Sequence, residues 1–416
     1  MAEVKPTPLG ALITAGDGQT EAVAITDTIF MVKDISNAYL VTTLDGDVLV
    51  NTGFIGNDAR NKALFAPQRT GPLRKIVLTQ AHADHFGALP GQLEEGTEVI
   101  AGAGFTETDT YFDDLKLFLG RRSGKLWASM TRRDGPPPVP PKVVPDREVA
   151  DRYAFELGGK RFEVIKVPGG ETLCCAILWL PDEKTVFTGN AFGPVWRSQP
   201  NLTTTRGDKP RLTGAYLRTV ELVRDLGPEL VVTGHGEPVR GAERIRDDLT
   251  AMHDAITYIA RETIKVMNDG GTVYQAMQTI HLPSDIQVGG FHGQTKWTVR
   301  AVWEENGNWF KYEDGTTAMF GSPRSSVDAD VVALAGGADK VAARARARLA
   351  EGKPLEALHL VDIALSVDAA ELTALAVKKG ACEALLALGG GQNLSETMWL
   401  RAEIAEVERV LNPAKS

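Results

Sequence analysis

Cysteine is scarce in this chain: three among 416 residues, Cys174, Cys175 and Cys382. So few, two of them adjacent, exclude a disulfide framework, and a reducing, cytoplasmic setting is expected. Long apolar runs are missing too. No window approaches the roughly 20 apolar residues of a membrane span. The first 18 residues carry one lysine and no stretch suited to a signal peptide, so none is expected. Positive charge is in deficit: Lys plus Arg is 45 against 54 for Asp plus Glu, a net charge of -9. That excludes the electrostatic footprint of a nucleic-acid binder and a polybasic patch for an anionic membrane surface. Hydrophobic residues at 43% and charged residues at 24% are ordinary for a globular chain, which removes wholesale disorder, collagen and coiled coil.

What is present falls into two halves. Short apolar or β-branched runs at 29–32, 38–42, 48–51, 75–79, 97–101, 161–167, 174–180, 185–188 and 230–233 read as strands. Asp45-Gly46 is a hairpin signal. Helical spacing predicts helices over 105–119 and 212–226, and a loop over 135–145, where PPPVPP cannot join a ladder. Beyond residue 240 the character changes. A long helix is predicted over 243–267, followed by Ala-, Leu-, Glu- and Arg-rich helices without a strict repeat. The expected division is therefore an α/β catalytic domain at 1–240 and a helical domain at 241–416. Trp297, Trp303, Trp309 and Phe310 read as core residues rather than as a channel lining.

Chemistry concentrates where strands end, the edge at which α/β folds build their sites. The run KIVLT leads directly into Gln80-Ala81-His82-Ala83-Asp84-His85. Two imidazoles and a carboxylate in one such turn can meet around an ion at about 2.0–2.2 Å. His235 follows another strand in Gly234-His235-Gly236, where glycines let backbone approach closely. Glu171 lies in Pro168-Gly169-Gly170-Glu171, and Asn190 follows Thr188-Gly189. The remaining histidines, His253, His281, His292 and His359, have no evident partners and read as ordinary. Cys174 and Cys175 sit in an apolar strand and read as packed rather than reactive.

In their order along the chain, these motifs resemble the metallo-β-lactamase superfamily: Asn51-Thr52-Gly53, the QAHADHFG loop, the PGGE loop, the TGN loop and the GHG loop. More closely they are similar to its alkylsulfatase branch. That branch has Pro-Gly-x-Glu where other members have a histidine, and an Asn-Leu-x-Thr-x-Arg-Gly stretch matched here by residues 201–207. Residues 336–339, 355–366 and 399–402 carry a likeness to that branch's dimerisation domain. The resemblance implies an α/β, metallo-β-lactamase-like αββα sandwich followed by an all-helical dimerisation domain, hence a homodimer. The family's sterol-carrier-like C-terminal domain is not expected here.

The resemblance also implies a ligand set. A first metal would see Gln80, His82 and Glu171, and a second Asp84, His85 and His235. Several positions depart from the pattern. Gln80 stands where the family motif has a histidine, Asn190 at the usual bridging carboxylate position, Gly189 where alkylsulfatases have a glutamate, and Asn51 where an aspartate is common. Gln80 and Asn190 are thus weak donors. Two divalent ions bring four positive charges against the two negative charges of Asp84 and Glu171, and unneutralised ions in a partly dry site are costly. One tight site, the one built on Asp84, is expected in place of full double occupancy.

Three readings follow. The first is a metal-dependent hydrolase of a sulfate ester or similar small anionic ester. Zinc is the first expectation, Asp84 holds metal and nucleophilic water, and Arg206, with Asn201, binds the anion. The second is a non-hydrolytic iron or manganese enzyme, oxidative or lyase, because two histidines and one carboxylate with oxygen-rich neighbours suit those metals. The third is a degenerate, non-catalytic dimeric member of the same fold.

Overall fold

The computed structural model describes residues 7–127, 139–167 and 169–412. They form two compact units, Met1–Arg122 with Ser129–Asn306, and Ser123–Ala128 with Gly307–Ser416. Division by packing differs from division by composition at residue 240, because helix Ala242–Asn268 buries Ile245, Leu249, Met252, Ile256 and Ile259 in the first unit.

The first unit holds two sheets. One runs in the order β1 (Val23–Ala24), β2 (Ile29–Val32), β3 (Ala38–Thr43), β4 (Gly46–Val50), β5 (Leu73–Leu78), β6 (Glu98–Gly102) and β7 (Arg147–Val149). It is antiparallel up to β4 and parallel from β4 to β7. The other contains β8 (Arg152–Leu157), β9 (Lys160–Lys166), β10 (Ala176–Leu180), β11 (Thr185–Gly189), β12 (Leu230–Thr233) and β13 (Val239–Arg240), adjacent in chain order. Only β11 and β12 pair in parallel here.

Strand periodicity explains the layering. Successive side chains point to opposite faces, so a strand buried on both sides serves two cores. In β3, Tyr39 and Val41 join a core shared with Val164, Leu178, Phe187 and Val232 of the second sheet. Ala38 and Leu40 join a second core with Phe65, Phe86 and Phe105 from the helices outside. In β10, Ala176 and Leu178 face the shared core, while Ile177 and Trp179 face helices Thr213–Leu226 and Ala242–Asn268. The result is helix, sheet, sheet, helix: the expected αββα sandwich.

Some elements differ from expectation. Residues 105–119 form parts of two helices, Phe105–Asp114 and Lys116–Trp127, not one. The edge strands β1, β7 and β13 are only two or three residues long, and β8 has no fully buried position, so none stands out in sequence. The proline-rich stretch lies partly outside the described residues; 139–146 contain neither helix nor strand. Trp303 is buried as expected, but Trp309 is 65% exposed.

The second unit is helical. Ala338–Ala350, Pro354–Val367 and Leu372–Gly389 pack through Val341, Ala342, Ala345, Ala357, Val361, Ala364, Ala374 and Val377. Alanine at these contacts lets backbones approach closely, and it leaves the larger apolar side chains outside: Leu334, Leu355, Leu372 and Leu388 are 61–89% exposed. Among the described residues no helix is long and apolar enough to cross a membrane.

Candidate metal centre

The two sheets are stitched together at the edge where β4, β5, β9, β11 and β12 end. Ala176 N–H donates to Thr79 O at 2.9 Å, Asn37 N–H to Gly234 O at 2.7 Å, and the Tyr39 hydroxyl to Thr233 O at 2.5 Å. These bonds hold the ends of β5 and β12 against the starts of β10 and β3. His82 stands just before the short helix Ala83–Phe86, which carries Asp84 and His85. His235 arrives from the loop after β12. Asp84 Oδ2 lies 3.6 Å from His85 Nε2 and 3.7 Å from His235 Nε2. One ligand atom from each residue lies within 4.8 Å of the others. This geometry is suited to a single ion.

The electrostatics agree. His85 and His235 side chains are 0% and 5% exposed. Burial lowers His85 to about 3, helped by His82, and lowers His235 to about 4 against the attraction of Asp84. Both rings are therefore neutral at pH 7, the state in which imidazole can ligate. Asp84, at 23% exposed, is the open member.

Close approach fixes two glycines. A Cβ at Gly234 would lie 2.1 Å from Asn190 Oδ1 and 2.9 Å from His85 Cε1. At Gly189, with φ +50°, it would lie 2.2 Å from Thr79 Oγ1. A side chain at 189 has no room here.

A second cluster surrounds Glu171. Its Oε2 accepts from Asn190 Nδ2 at 2.9 Å and from Gln80 Nε2 at 3.4 Å, and it lies 3.4 Å from His82 Nδ1. Its Oε1 lies 3.1 Å from His292 Nε2. Burial alone would raise this carboxyl, but the bonds from His292 and His82 hold it well below the usual carboxylate range. Asn190 links the clusters, because its Nδ2 is also 3.2 Å from His235 Nε2. Gln80 Oε1 faces the Cys175 thiol at 3.8 Å. Cys174 is packed, and burial pushes its thiol up to about 11. Pro168 lies outside the described residues.

Arg206 reaches the same floor, with Nη2 3.5 Å from His82 Nε2. It pairs with Asp208 at 2.8 Å, and Arg211 binds the same Asp208 oxygen at 3.0 Å. Burial disfavours the Arg206 charge, but Asp208 more than offsets it and the guanidinium is held charged. Asn201 contributes differently from expectation. Its backbone carbonyl receives Arg211 Nη1, and its buried Oδ1 has no hydrogen-bond partner among the described residues. Sequence reasoning missed Asp208, Arg211 and His292. The first two sit a few residues beyond Arg206 and were within reach; His292 is far from every other site residue in the chain.

Residues 31–235 match the model of the metallo-β-lactamase superfamily, and residues 272–399 that of the alkyl sulfatase dimerisation family. The chain thus carries a metallo-β-lactamase domain followed by an alkyl sulfatase dimerisation domain. It is 24% identical over 355 residues to a linear primary-alkylsulfatase from Pseudomonas sp., covering 79% of this chain and 66% of that protein. It is 23% identical over 355 residues to the alkyl/aryl-sulfatase BDS1 of Saccharomyces cerevisiae, covering 77% and 54%. The structure of a stereoselective inverting sec-alkylsulfatase, Pisa1 from Pseudomonas sp., superposes with a TM-score of 0.80 at 21% identity, over 94% of this chain and 65% of that one. That likeness establishes the fold: a metallo-β-lactamase sandwich followed by a helical region. The chain spans between about half and two thirds of the length of these relatives.

Proposed function

We propose that this protein is a metal-dependent hydrolase of a sulfate ester or a similar small anionic ester. The observation that carries the reading is a triad of two buried, neutral histidines and one part-exposed carboxylate, with the charged Arg206 against the neighbouring His82. Asp84, His85 and His235 would hold the ion, zinc first; His82 and Glu171, with Gln80 and Asn190 as weak donors, would form a looser neighbouring site. A bound divalent ion supplies Lewis acidity and lowers the pKa of a coordinated water toward about 7.

The chain's own residues supply the rest. Arg206 binds the anionic group through its planar fork, with Asn201 expected nearby. Asp208, gripped by Arg211 as well, keeps that fork aligned. Asp84 takes up the proton released from water at its carboxylate. Its partial exposure leaves a way in, while the buried imidazoles exclude bulk solvent from the floor. We further propose a homodimer formed through residues 241–416, supported by the dimerisation-family match and the exposed leucines of the second unit, and a cytoplasmic location.

A second reading keeps the same residues. Two histidines and one carboxylate also suit iron or manganese, and an oxidative or lyase reaction would then replace hydrolysis. Turnover of 4-nitrophenyl sulfate and of a linear alkyl sulfate separates the two. Hydrolysis that is abolished by a chelator, restored by zinc and lost in Asp84→Ala with an unchanged circular-dichroism spectrum supports the first reading. Absence of hydrolysis with every divalent metal tested sinks it.

A further inference from the structure

We propose that His292 is a positioning residue of this site: its imidazole holds Oε1 of Glu171 and thereby turns Oε2 toward a cation shared with His82. The inference deepens the metal-dependent reading above and rests on it.

The arrangement around the carboxylate is asymmetric. All the groups that face the metal floor, from Asn190, Gln80 and His82, converge on Oε2. Oε1 is left to His292 Nε2 at 3.1 Å. A carboxylate with one oxygen held by a hydrogen bond has its other oxygen aimed, which is how outer residues tune a metal ligand.

His292 is itself fixed from behind. The segment that carries it lies along residues 197–199. Gly289 N–H donates to Arg197 O at 2.9 Å, and Gln199 N–H donates to Gly289 O at 2.8 Å. Gly293 N–H donates to Gln199 O at 2.9 Å, and Phe291 N–H to Ser198 Oγ at 3.2 Å. The residue is 9% exposed. Such a clamp places the ring without depending on a long flexible side chain. It also answers the weakness at Gln80. With an amide in place of an imidazole, a cation beside His82 relies more heavily on the orientation of Glu171.

The test is cobalt(II) titration of the metal-free protein, followed by isothermal calorimetry and visible absorption. The wild type is expected to bind one ion tightly and a second weakly. His292→Ala should weaken the second step by roughly 10–100-fold and leave the first unchanged. His292→Gln, which restores an N–H donor, should recover it to within a few-fold, and Glu171→Gln should abolish it. Unfolding midpoints of the metal-free variants check that each is folded. A second step unchanged in His292→Ala but lost in Glu171→Gln overturns the role of His292. A wild type that binds no second ion up to millimolar cobalt, or a second step indifferent to Glu171→Gln, overturns it as well. Failure of the broader reading has a different signature: the first step persists in Asp84→Ala.

Discussion

At Asn51 the identity of one atom decides where a proton sits. Its Oδ1 accepts from Thr79 N–H at 2.9 Å, and a backbone N–H can only donate. The other amide atom is therefore nitrogen; it lies 3.0 Å from His85 Nδ1 and must donate to it. In a neutral ring the proton then sits on Nε2, the atom that faces Asp84. Ligation through Nε2 requires the proton to move to Nδ1, where Ser36 Oγ, 3.1 Å away with its own hydrogen directed to Gly234 O, can accept it. The Asn51 bond is lost in the exchange. Asn51→Asp removes the conflict, since a carboxylate accepts from both Thr79 and Nδ1–H. It is expected to tighten the first metal step by roughly 10-fold or more, measured by competition with a chromogenic chelator; unchanged or weaker affinity refutes the argument. This detail was half legible in the sequence, which exposed the departure from aspartate but not its partner. His292 was not legible at all, because nothing local to Gly290-Phe291-His292 marks it. Only the ladder with 197–199 carries it to Glu171.

At the scale of elements, the strands with β-branched runs were readable because burial on both faces imposes an apolar residue at every step. Strand β10 follows that rule throughout, and β5, β11 and β12 follow it over residues 76–78, 186–187 and 230–232. Strand β8 does not. Its RYAFEL sequence alternates partly buried and exposed positions at a sheet edge, and only Gly158-Gly159 marks the hairpin. The loops after the strands were readable as donors from the residues themselves and as neighbours only through the family resemblance, since their meeting depends on the inter-sheet bonds Thr79–Ala176 and Asn37–Gly234. Gly234 sits in that seam. Gly234→Ala forces Asn190 and His85 apart, so it should cost about 1–3 kcal/mol of stability and weaken metal binding together. Urea unfolding and metal titration of the same preparation check this; a stable variant with full affinity contradicts it.

For the whole molecule, the buried neutral histidines couple stability to pH. His85 and His235 are lowered to about 3 and about 4, against 6.5 when unfolded. Between those values the unfolded chain binds more protons than the folded one, so stability rises with pH. It is fully present above about 6.5 and is lost as pH falls toward 4, at up to roughly 1.4 kcal/mol per pH unit for each ring. Urea midpoints of the metal-free protein at pH 7 and pH 5 should differ in that direction, and His85→Asn should reduce the difference; equal midpoints refute it. The division into two halves by composition reflects the Ala-rich helices of the second unit, whereas helix Ala242–Asn268 shares the first unit's core through an apolar face that sequence alone could not assign to a partner. The central claim is that Asp84, His85 and His235 hold one ion. An anomalous-scattering map of zinc-loaded crystals tests it most directly. The strongest peak is expected within about 2.0–2.2 Å of a ligand atom from all three residues; a strongest peak elsewhere, or none beside Asp84, would contradict a single ion held there.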